Sequence, residues 1–396
     1  MSFFKDKCFL IAKPKIVGEL LDQVTKDRNG EYCDWDLLKD AINSFVQLGL
    51  QSADIVKQGG DFVWRGDRNL DLYNQHIEKA IINGAKEEYA AKSMQWISSL
   101  NCPEYLDTVD KQLTKEEERA DYFLQPETKA RLLKECEQEL IANRAEVLVN
   151  MDSGCDTMFN NKKLDELALM YRVFRRDETT LKFILSKMGP YIIKRGDKIV
   201  KDEQLLKDPI AFTAKLLELK AEMDELVEQS FQNDPKFQKQ RNLSFQEFMN
   251  NCSSTPSFIA SYCDNEFKKG LKGIAVDETE RRLSAIIRLF CCLNSRDIFI
   301  KQYTKHLSGR LLNKSSISQE AEETMLQKLK VECGHNTVNK MSKMFTDMSL
   351  TSDLMKEFRI KQNQGIINGV EINAEVLTNG IWPEAQKSKC KLPPQL

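Results

Sequence analysis

Apolar residues recur along this chain at the spacing of one helical face, in segments separated by short polar breaks. The first such face consists of Ile16, Val17, Leu20, Leu21 and Val24. Asn29-Gly30 follows it and tolerates the left-handed conformation in which many helices end. The same spacing predicts a second helix from Trp35 to Leu48 with Gly49 as its terminator, and Gln58-Gly59-Gly60 predicts a loop.

Further helix starts are predicted where a capping side chain precedes a proline, or is followed three residues later by Glu or Gln. These pairs are Asn101 and Pro103, Asp208 and Pro209, Asp277 and Glu280, and Ser316 and Gln319. A longer helical pattern from Tyr73 to Leu100 is interrupted at Asn83-Gly84. Long helices joined by short breaks are typical of stacked helical repeats.

The periodicity changes only near the end of the chain. There the apolar residues Val370, Ile372, Ala374 and Val376 alternate with polar ones, after the turn dipeptide Asn368-Gly369. Alternation predicts one half-buried strand. Because a single strand does not form a stable sheet, we expect a partner or a continuation of the fold to supply its neighbours.

Composition supports a helical, globular protein. Of 396 residues, 17 are Gly and 10 are Pro, so residues that make turns and hairpins are scarce. Hydrophobic residues make up 41% and charged residues 30%, which is enough apolar material for packed cores. The 58 basic and 60 acidic residues give a net charge of −2, which argues against a general nucleic-acid partner or a polybasic membrane contact.

Cysteine usage points to a reducing compartment, and hydropathy points to a soluble protein. The 11 cysteines are dispersed with no Cys-x-x-Cys, which favours buried free thiols over a disulfide framework. No run approaches the roughly 18 apolar residues of a membrane span, and the N-terminal apolar stretch is too short for a secretory signal. We therefore expect a soluble protein that is cytoplasmic and nuclear.

Few residues in the sequence are candidates for catalysis. The chain has three histidines, and neither a zinc-ligand cluster nor a phosphate-binding glycine motif is present in the sequence. Cys333 and His335 are two residues apart, which seldom lets a thiolate face its base, so a small buried thiol is the simpler interpretation. The acidic run Glu116 to Glu118 is interpreted as a solvated helix face. No catalytic residue, metal or cofactor is predicted.

One stretch carries a local charge bias. From Arg296 to Lys314 the basic residues outnumber the single acid, Asp297. The candidates for a basic docking patch are Lys301, Lys305, Arg310 and Lys314. Such a patch would steer an acidic partner tail, whereas the simpler alternative is a surface helix with scattered basic residues.

The segment from 296 to 358 contains five blocks in a fixed order: D-x-F-x-x-x-Y, R-L-L, S-x-S, M-x-x-K-L-K-x-x-C-G and M-F-x-D-M-S. The stretch VLTNGIWP at 376–383 adds a V-L-T-x-G-x-W-P pattern, and DRNG, SFIASYCD and KKG precede them at 27–30, 257–264 and 268–270. In these residues the chain resembles the cullin family over almost its whole length, nearest to the cullin that works with F-box adaptors.

The resemblance implies a mainly α fold: a helical solenoid of cullin repeats, a four-helix bundle, and the first strand or strands of an incomplete α/β domain. The expected domains are the remnant of a first repeat at 1–30, a second repeat at 31–157, a third at 158–273, the bundle at 274–362 and the start of the α/β domain at 363–396. We also expect Leu311 and Leu312 in the bundle core and Asp347 and Ser349 as helix caps.

The resemblance also implies a function, that of a non-catalytic scaffold in a multisubunit cullin-RING ubiquitin ligase. Such a scaffold binds a RING-box protein directly and a ubiquitin-conjugating enzyme indirectly, so that proximity accelerates ubiquitin transfer. Residues expected to dock the RING-box protein are Val370, Ile372, Ala374, Val376, Trp382 and Pro383, although Trp382 and Pro383 alternatively close a turn by packing. Neither a nucleic acid nor a membrane is an expected partner.

Departures from the family pattern limit the assignment. The chain is expected to be truncated at both ends, so the helices that bind an F-box-type adaptor and the lysine that accepts the ubiquitin-like modifier lie outside it. Gly309 stands where the family has a basic residue, and Asn336-Thr337 replaces an aromatic and polar site. Two alternatives are therefore kept: a cullin-like interaction module without ligase activity, and an unrelated helical enzyme that uses Cys333.

Overall fold

The structure is a computed structural model that describes residues 10–49, 55–58, 61–64, 70–361, 366–367 and 370–383. Most of these residues are helical, so the predicted mainly α fold class is confirmed. The chain divides into two units, one extending to Met188 and including 229–232, the other formed by 189–228 and the part after Gln232. The five predicted domains stay a prediction.

The first unit is built from eight helices and the start of a ninth, all within the described residues. They are α1 (Leu10–Arg28), α2 (Trp35–Gly49), α3 (Lys79–Ser99), α4 (Cys102–Phe123), α5 (Pro126–Glu137), α6 (Ala145–Asn150), α7 (Cys155–Asn160), α8 (Leu164–Phe174) and α9 (Leu181–Val200). A helical turn at Asp71–Tyr73 and a π-helical turn at Asn74–Glu78 lead into α3, and another π-helical turn, Gln138–Ala142, follows α5.

The second unit contains the rest of α9 and the helices that follow it, of which the last three described line the candidate site. They are α10 (Pro209–Phe231, apart from the residues assigned to the first unit), α11 (Pro235–Asn250), α12 (Thr255–Asn265), α13 (Val276–Phe290), α14 (Arg296–Leu312), α15 (Gln319–Cys333) and α16 (His335–Lys361). A 3₁₀ turn at Leu205–Lys207 precedes α10, and a π-helical turn at Glu266–Gly270 follows α12.

Two predicted helix starts are confirmed by their hydrogen bonds. The Asn101 side chain accepts from the Glu104 N–H at 3.0 Å, and the Glu104 carboxylate accepts from the Asn101 N–H at 3.2 Å, a complete capping box. The Asp208 carboxylate accepts from the N–H groups of Ile210 and Ala211 at 2.9 and 3.1 Å. Both caps satisfy donors that the first helical turn leaves unpaired.

Three other local predictions are wrong. The N-cap of α15 is Ser318, whose hydroxyl accepts from the Ala321 N–H at 3.2 Å, and it is not Ser316. Asp277 lies inside the first turn of α13. The helix also continues through Asn83-Gly84, because a glycine in a helix lowers stability by only about 1 kcal/mol, which packing overrides.

The strands differ most from prediction. The expected strand from 370 to 376 is limited to Val370–Glu371 (β4), which pairs antiparallel with Ile366–Ile367 (β3) of the same chain. After β4, the backbone of Val376 bonds to a side chain of α16. Its N–H donates to the Thr351 hydroxyl, and that hydroxyl donates to its C=O. The expected strand is therefore wrong for 372–376, whereas the expectation that a partner or a continuation of the fold supplies neighbouring strands stays a prediction.

A second hairpin was not predicted at all. Ile55–Gln58 (β1) pairs antiparallel with Asp61–Trp64 (β2), with Ile55 opposite Trp64. Gln58, predicted as part of a loop, is the last residue of β1, whereas Gly59-Gly60 lies outside the described residues. Four-residue strands are too short to produce a distinctive alternating pattern.

A buried charge cluster joins three helices of the first unit. Glu116, predicted to be solvated, has no exposed surface, and Arg119 is likewise buried. The Glu116 carboxylate accepts from Arg28 Nε at 2.7 Å, from Arg119 Nη1 at 2.9 Å and from the Tyr89 hydroxyl at 2.7 Å. Arg119 also pairs with Asp27. The cluster therefore joins α1, α3 and α4.

The Glu116→Gln variant tests this cluster. Burial alone would raise the pKa of Glu116, but the charges of Arg28 and Arg119 outweigh it and hold that pKa below its ordinary value. Removing the charge leaves the buried Arg28 and Arg119 with only Glu88 and Asp27 as charged partners, so we expect the free energy of unfolding in urea to fall by about 3 kcal/mol.

The solvent-exposed Glu118→Gln on the same helix is the control and is expected to change stability by less than about 0.5 kcal/mol. Because the folded pKa of Glu116 is depressed, its contribution is complete above the unfolded pKa and is lost as pH falls through the folded pKa. Equal stability of both variants at neutral pH would contradict a structural role for the cluster.

Alanine substitution is expected to change the free energy of unfolding in opposite directions at two helical glycines. Gly309 lies inside α14, and a Cβ built there has no described atom within 4 Å apart from its chain neighbours and the nearby backbone of its own helix, so Gly309→Ala is expected to raise the free energy of unfolding by about 0.5–1 kcal/mol. At Gly196 in α9, a Cβ would overlap the ring of the fully buried Phe248, so Gly196→Ala is expected to lower the free energy of unfolding by about 1–3 kcal/mol. Urea denaturation monitored by circular dichroism measures both, and destabilisation by Gly309→Ala would refute the open-space interpretation.

Candidate partner-binding groove

Arg310, predicted as part of a surface docking patch, has no exposed surface, so that prediction is wrong for this residue. Its guanidinium donates to both oxygens of Glu322, at 2.6 and 2.8 Å, and to Asp264 Oδ1 at 2.8 Å. Arg310 follows Tyr303 and Leu307 by seven and three residues and therefore lies on the buried face of α14. A count of charged residues along the sequence does not show which of them lie on the buried face of a helix and which lie on its exposed face.

The carboxylate of Glu322 is the centre of this second charge cluster. Besides Arg310, it accepts hydrogen bonds from the hydroxyls of Ser316 at 2.9 Å and Tyr303 at 3.3 Å. Burial alone would lower the pKa of Arg310, but the hydrogen bonds and charge of Glu322 outweigh it and raise that pKa. Arg310 thus stays protonated and joins α14 to α12 and α15.

The chain after β4 is held against α16 by two side chains. Asp347 Oδ2 accepts from the Thr378 N–H at 2.9 Å and from Trp382 Nε1 at 2.7 Å, and Oδ1 accepts from the Thr378 hydroxyl at 2.7 Å. Thr351, one turn further along α16, bonds the backbone of Val376. The segment 376–382 is therefore positioned by α16.

Asp347 and Ser349 both lie within α16, so neither caps a helix as predicted. Asp347 instead satisfies donors of the segment that follows β4. Burial alone would raise its pKa, but the hydrogen bonds from Thr378 and Trp382 outweigh burial and lower it. The carboxylate therefore stays ionised at neutral pH, and its hydrogen bonds are charge-assisted.

These contacts place Ile381, Trp382 and Pro383 along a groove with a cavity volume of about 890 Å³. Its opposite wall is α14, and the junction of α15 and α16 forms its end. Ile300 extends the apolar surface, and the cationic lining residues besides Arg296 are Lys301, Lys305 and Lys340. The guanidinium of Arg296 already donates hydrogen bonds to the carbonyls of Cys291 and Leu293.

The groove combines an apolar strip with basic residues and two acids, Asp297 and Glu332. Such a lining can accept an apolar side chain of a partner while nearby cations attract negative charge. Cys333 also lines it, and burial raises the pKa of its thiol, which makes it a poor nucleophile. The groove is therefore suited to binding a protein segment.

The structure brings together some of the predicted site residues and separates others. Trp382, Pro383, Lys301 and Lys305, which are distant in sequence, share the groove. Lys314 lies elsewhere, with its ammonium 3.3 Å from the Glu375 carboxylate.

The remaining predicted docking residues do not line the groove within the described part of the chain. They are Ile372, Ala374 and Val376, of which Ala374 and Val376 are exposed and Ile372 is half-buried, whereas the side chain of Val370 lies outside the described part of the structure. Only Val370 belongs to a strand, and that strand pairs with Ile366–Ile367. The expected strand is thus wrong for 372–376, whereas docking of a RING-box protein by these residues stays a prediction.

Glu322 and Lys340 are not identified from the sequence, and Asp347 is identified there only as a helix cap. For Asp347 a usable signal existed, since Asp347 and Thr351 are four residues apart on one face of a predicted helix. Leu312, predicted as bundle core, is 39% exposed, and Leu311 is half-buried. Adjacent residues of a helix do not share a face, so both could not be central to the core.

The described ranges contain neither a trio of His, Cys, Asp or Glu side chains arranged as metal ligands nor a helix with the length and apolarity to span a bilayer. Nine cysteines are described, and all of them are free thiols, five of them buried.

Comparison with known proteins agrees with this architecture. The family model described as the cullin alpha solenoid domain matches residues 1–355. The chain is 33% identical over 383 residues to Cullin-3A of Arabidopsis thaliana and 32% identical over 386 residues to Cullin-3 of Dictyostelium discoideum. It is 29% identical over 392 residues to Cullin-3 of Caenorhabditis elegans.

The alignments cover 96% to 97% of this chain but only 48% to 50% of the relatives, so the chain spans about half the length of the curated relatives it matches. All three are named Cullin-3, which gives no support to the finer prediction of a cullin that works with F-box adaptors. The match over 355 residues and the shared identity show that this chain belongs to the cullin family.

Proposed function

We propose that this chain is a scaffold subunit of a multisubunit cullin-RING ubiquitin ligase in ubiquitin-dependent protein degradation. Family membership supports the proposal at the level of the cullins as a whole. In such a complex the chain would bridge a substrate adaptor and a RING-box protein, which in turn recruits a ubiquitin-conjugating enzyme. The rate enhancement would come from proximity and not from a side chain of the scaffold.

The observation that carries the docking proposal is the segment held by Asp347. It presents Trp382 and Pro383 beside Lys301 and Lys305 in one groove. Aromatic residues in a partly desolvated groove are typical anchors of protein interfaces, and flanking cations steer association. We propose that a RING-box protein docks at this groove and at the adjoining β4 segment, in a cytoplasmic and nuclear setting.

One observation favours a second function. Because β4 already pairs with β3, the described residues after α16 do not present the long unpaired strand that a partner would extend. A cullin-like interaction module that binds partners without supporting ligase activity would fit this arrangement. The two functions differ in whether a RING-box protein binds, so that binding is the discriminating property.

The Asp347→Asn variant tests the docking groove. An amide cannot reproduce the charge-assisted hydrogen bonds to both Thr378 and Trp382, so the segment that lines the groove should loosen. We expect the affinity for a purified RING-box protein, measured by biolayer interferometry, to fall about tenfold, which corresponds to about 1.4 kcal/mol.

Asp353→Asn is the matched control, because Asp353 lies on the same helix with its side chain 69% exposed and pairs only with Lys356 among the described residues. It should bind the RING-box protein as well as the unchanged protein does. Equal loss in both variants would show a nonspecific charge effect. An unchanged affinity in Asp347→Asn would rule out the groove as the docking site.

A further inference from the structure

A second cavity, of about 480 Å³, lies between α10, α11 and α13 at the end of α15. Its lining is strongly basic, with four cations: Lys220, Lys239, Arg241 and Arg288. The acid among the described lining residues is Glu332, which accepts a hydrogen bond from the Cys291 thiol at 3.2 Å. None of these four cations belongs to the groove described above.

Three of the cations share a single carboxylate, that of Asp224. Its oxygens lie 3.0 Å from Lys220 Nζ, 2.9 Å from Arg241 Nη1 and 3.6 Å from Arg288 Nε. Within the described part of the chain, no other carboxylate lies within 4.0 Å of these three groups. One negative charge therefore faces three positive charges, and the cluster has a surplus of two.

The surplus is concentrated around a buried ammonium. Lys220 is only 3% exposed, and its other acceptor is the neutral amide oxygen of Asn242 at 3.2 Å. Burial lowers the pKa of Lys220, and the charge of Arg241 acts in the same direction, while Asp224 opposes both. The ring of Phe245, 5.0 Å away, also faces the ammonium, and Arg288 is 55% exposed. The cluster nevertheless keeps a net positive charge that a further negative charge would offset. The cluster is thus suited to receiving an anion.

The rest of the lining indicates what kind of anion fits. Pro235, Leu243 and Ile287 add apolar surface beside the cations, and Leu243 is 47% exposed. A water molecule takes up about 30 Å³ in the liquid, so a cavity of 480 Å³ is far larger than one small ion requires. A peptide with adjacent acidic and apolar side chains matches both the charge and the apolar surface.

We propose that this cavity binds a short acidic segment of a protein partner. A carboxylate of the segment would lie against the guanidinium groups of Arg241 and Arg288, whose planar donors suit a carboxylate. A neighbouring apolar side chain would pack on Leu243 and Ile287. This interaction is independent of RING-box docking, because it uses different cations.

The probe for the test is a fluorescein-labelled hexapeptide of alternating aspartate and leucine, titrated with the full chain at low salt and followed by fluorescence anisotropy. Arg288→Gln removes a half-exposed cation and keeps the pairing of Asp224 with Lys220 and Arg241, so the fold is expected to persist. We expect the dissociation constant to rise about fivefold to tenfold in this variant and also in Lys239→Gln.

Lys215→Gln is the control, since Lys215 is an exposed lysine of α10 that pairs with Glu218 on its own helix. It should leave the dissociation constant unchanged, and a peptide with asparagine in place of aspartate should bind at least tenfold more weakly. Equal binding of the two peptides, or equal affinity in Arg288→Gln and Lys215→Gln, would overturn the proposal. Displacement of the peptide by inorganic phosphate at the peptide's own binding concentration would also overturn it, in favour of a small-anion site.

Discussion

The pairing of Arg310 with Glu322 is the constraint on which the second unit depends. Both side chains are buried, and both hydrogen bonds between them are 2.8 Å or shorter. A buried pair need not be more stable than an apolar one, but removing either partner leaves an uncompensated charge that costs about 3–5 kcal/mol. Because the pair fixes the rotation of α14, Phe299, Tyr303 and Leu307 face the core while Lys301 and Lys305 face the groove.

The first unit uses a comparable arrangement, in which Glu116 accepts from Arg28, Arg119 and Tyr89. In each unit one buried charged side chain, Glu116 in the first and Arg310 in the second, joins three helices through directional hydrogen bonds, which apolar contacts alone do not provide. Asp347 extends this principle to an irregular segment, since it bonds one backbone N–H and two side chains of the chain after β4. Carboxylates thus determine the position of both helices and docking residues in this protein.

The helices could be predicted because their signals are local: apolar spacing, the Asn101 capping box and the Asp208 cap act within a few residues. The buried charges could not, because Glu116 and Arg310 depend on helices that are distant in sequence. For the candidate site, Trp382, Pro383, Lys301 and Lys305 were each identified, but their convergence required Asp347, which no linear motif connects to them. The strand expected through Val376 failed for the same reason, since Thr351 on α16 takes its backbone hydrogen bonds.

The proposed scaffold function of this member of the cullin family would act through the groove beside α14. Affinity purification of the tagged chain from its own cell extract, followed by mass spectrometry, tests this function. We expect a RING-box protein among the recovered partners, and we expect its loss when Asp347→Asn is used in place of the unchanged chain. A folded chain that recovers no RING-box protein would contradict the scaffold function and favour an interaction module without ligase activity.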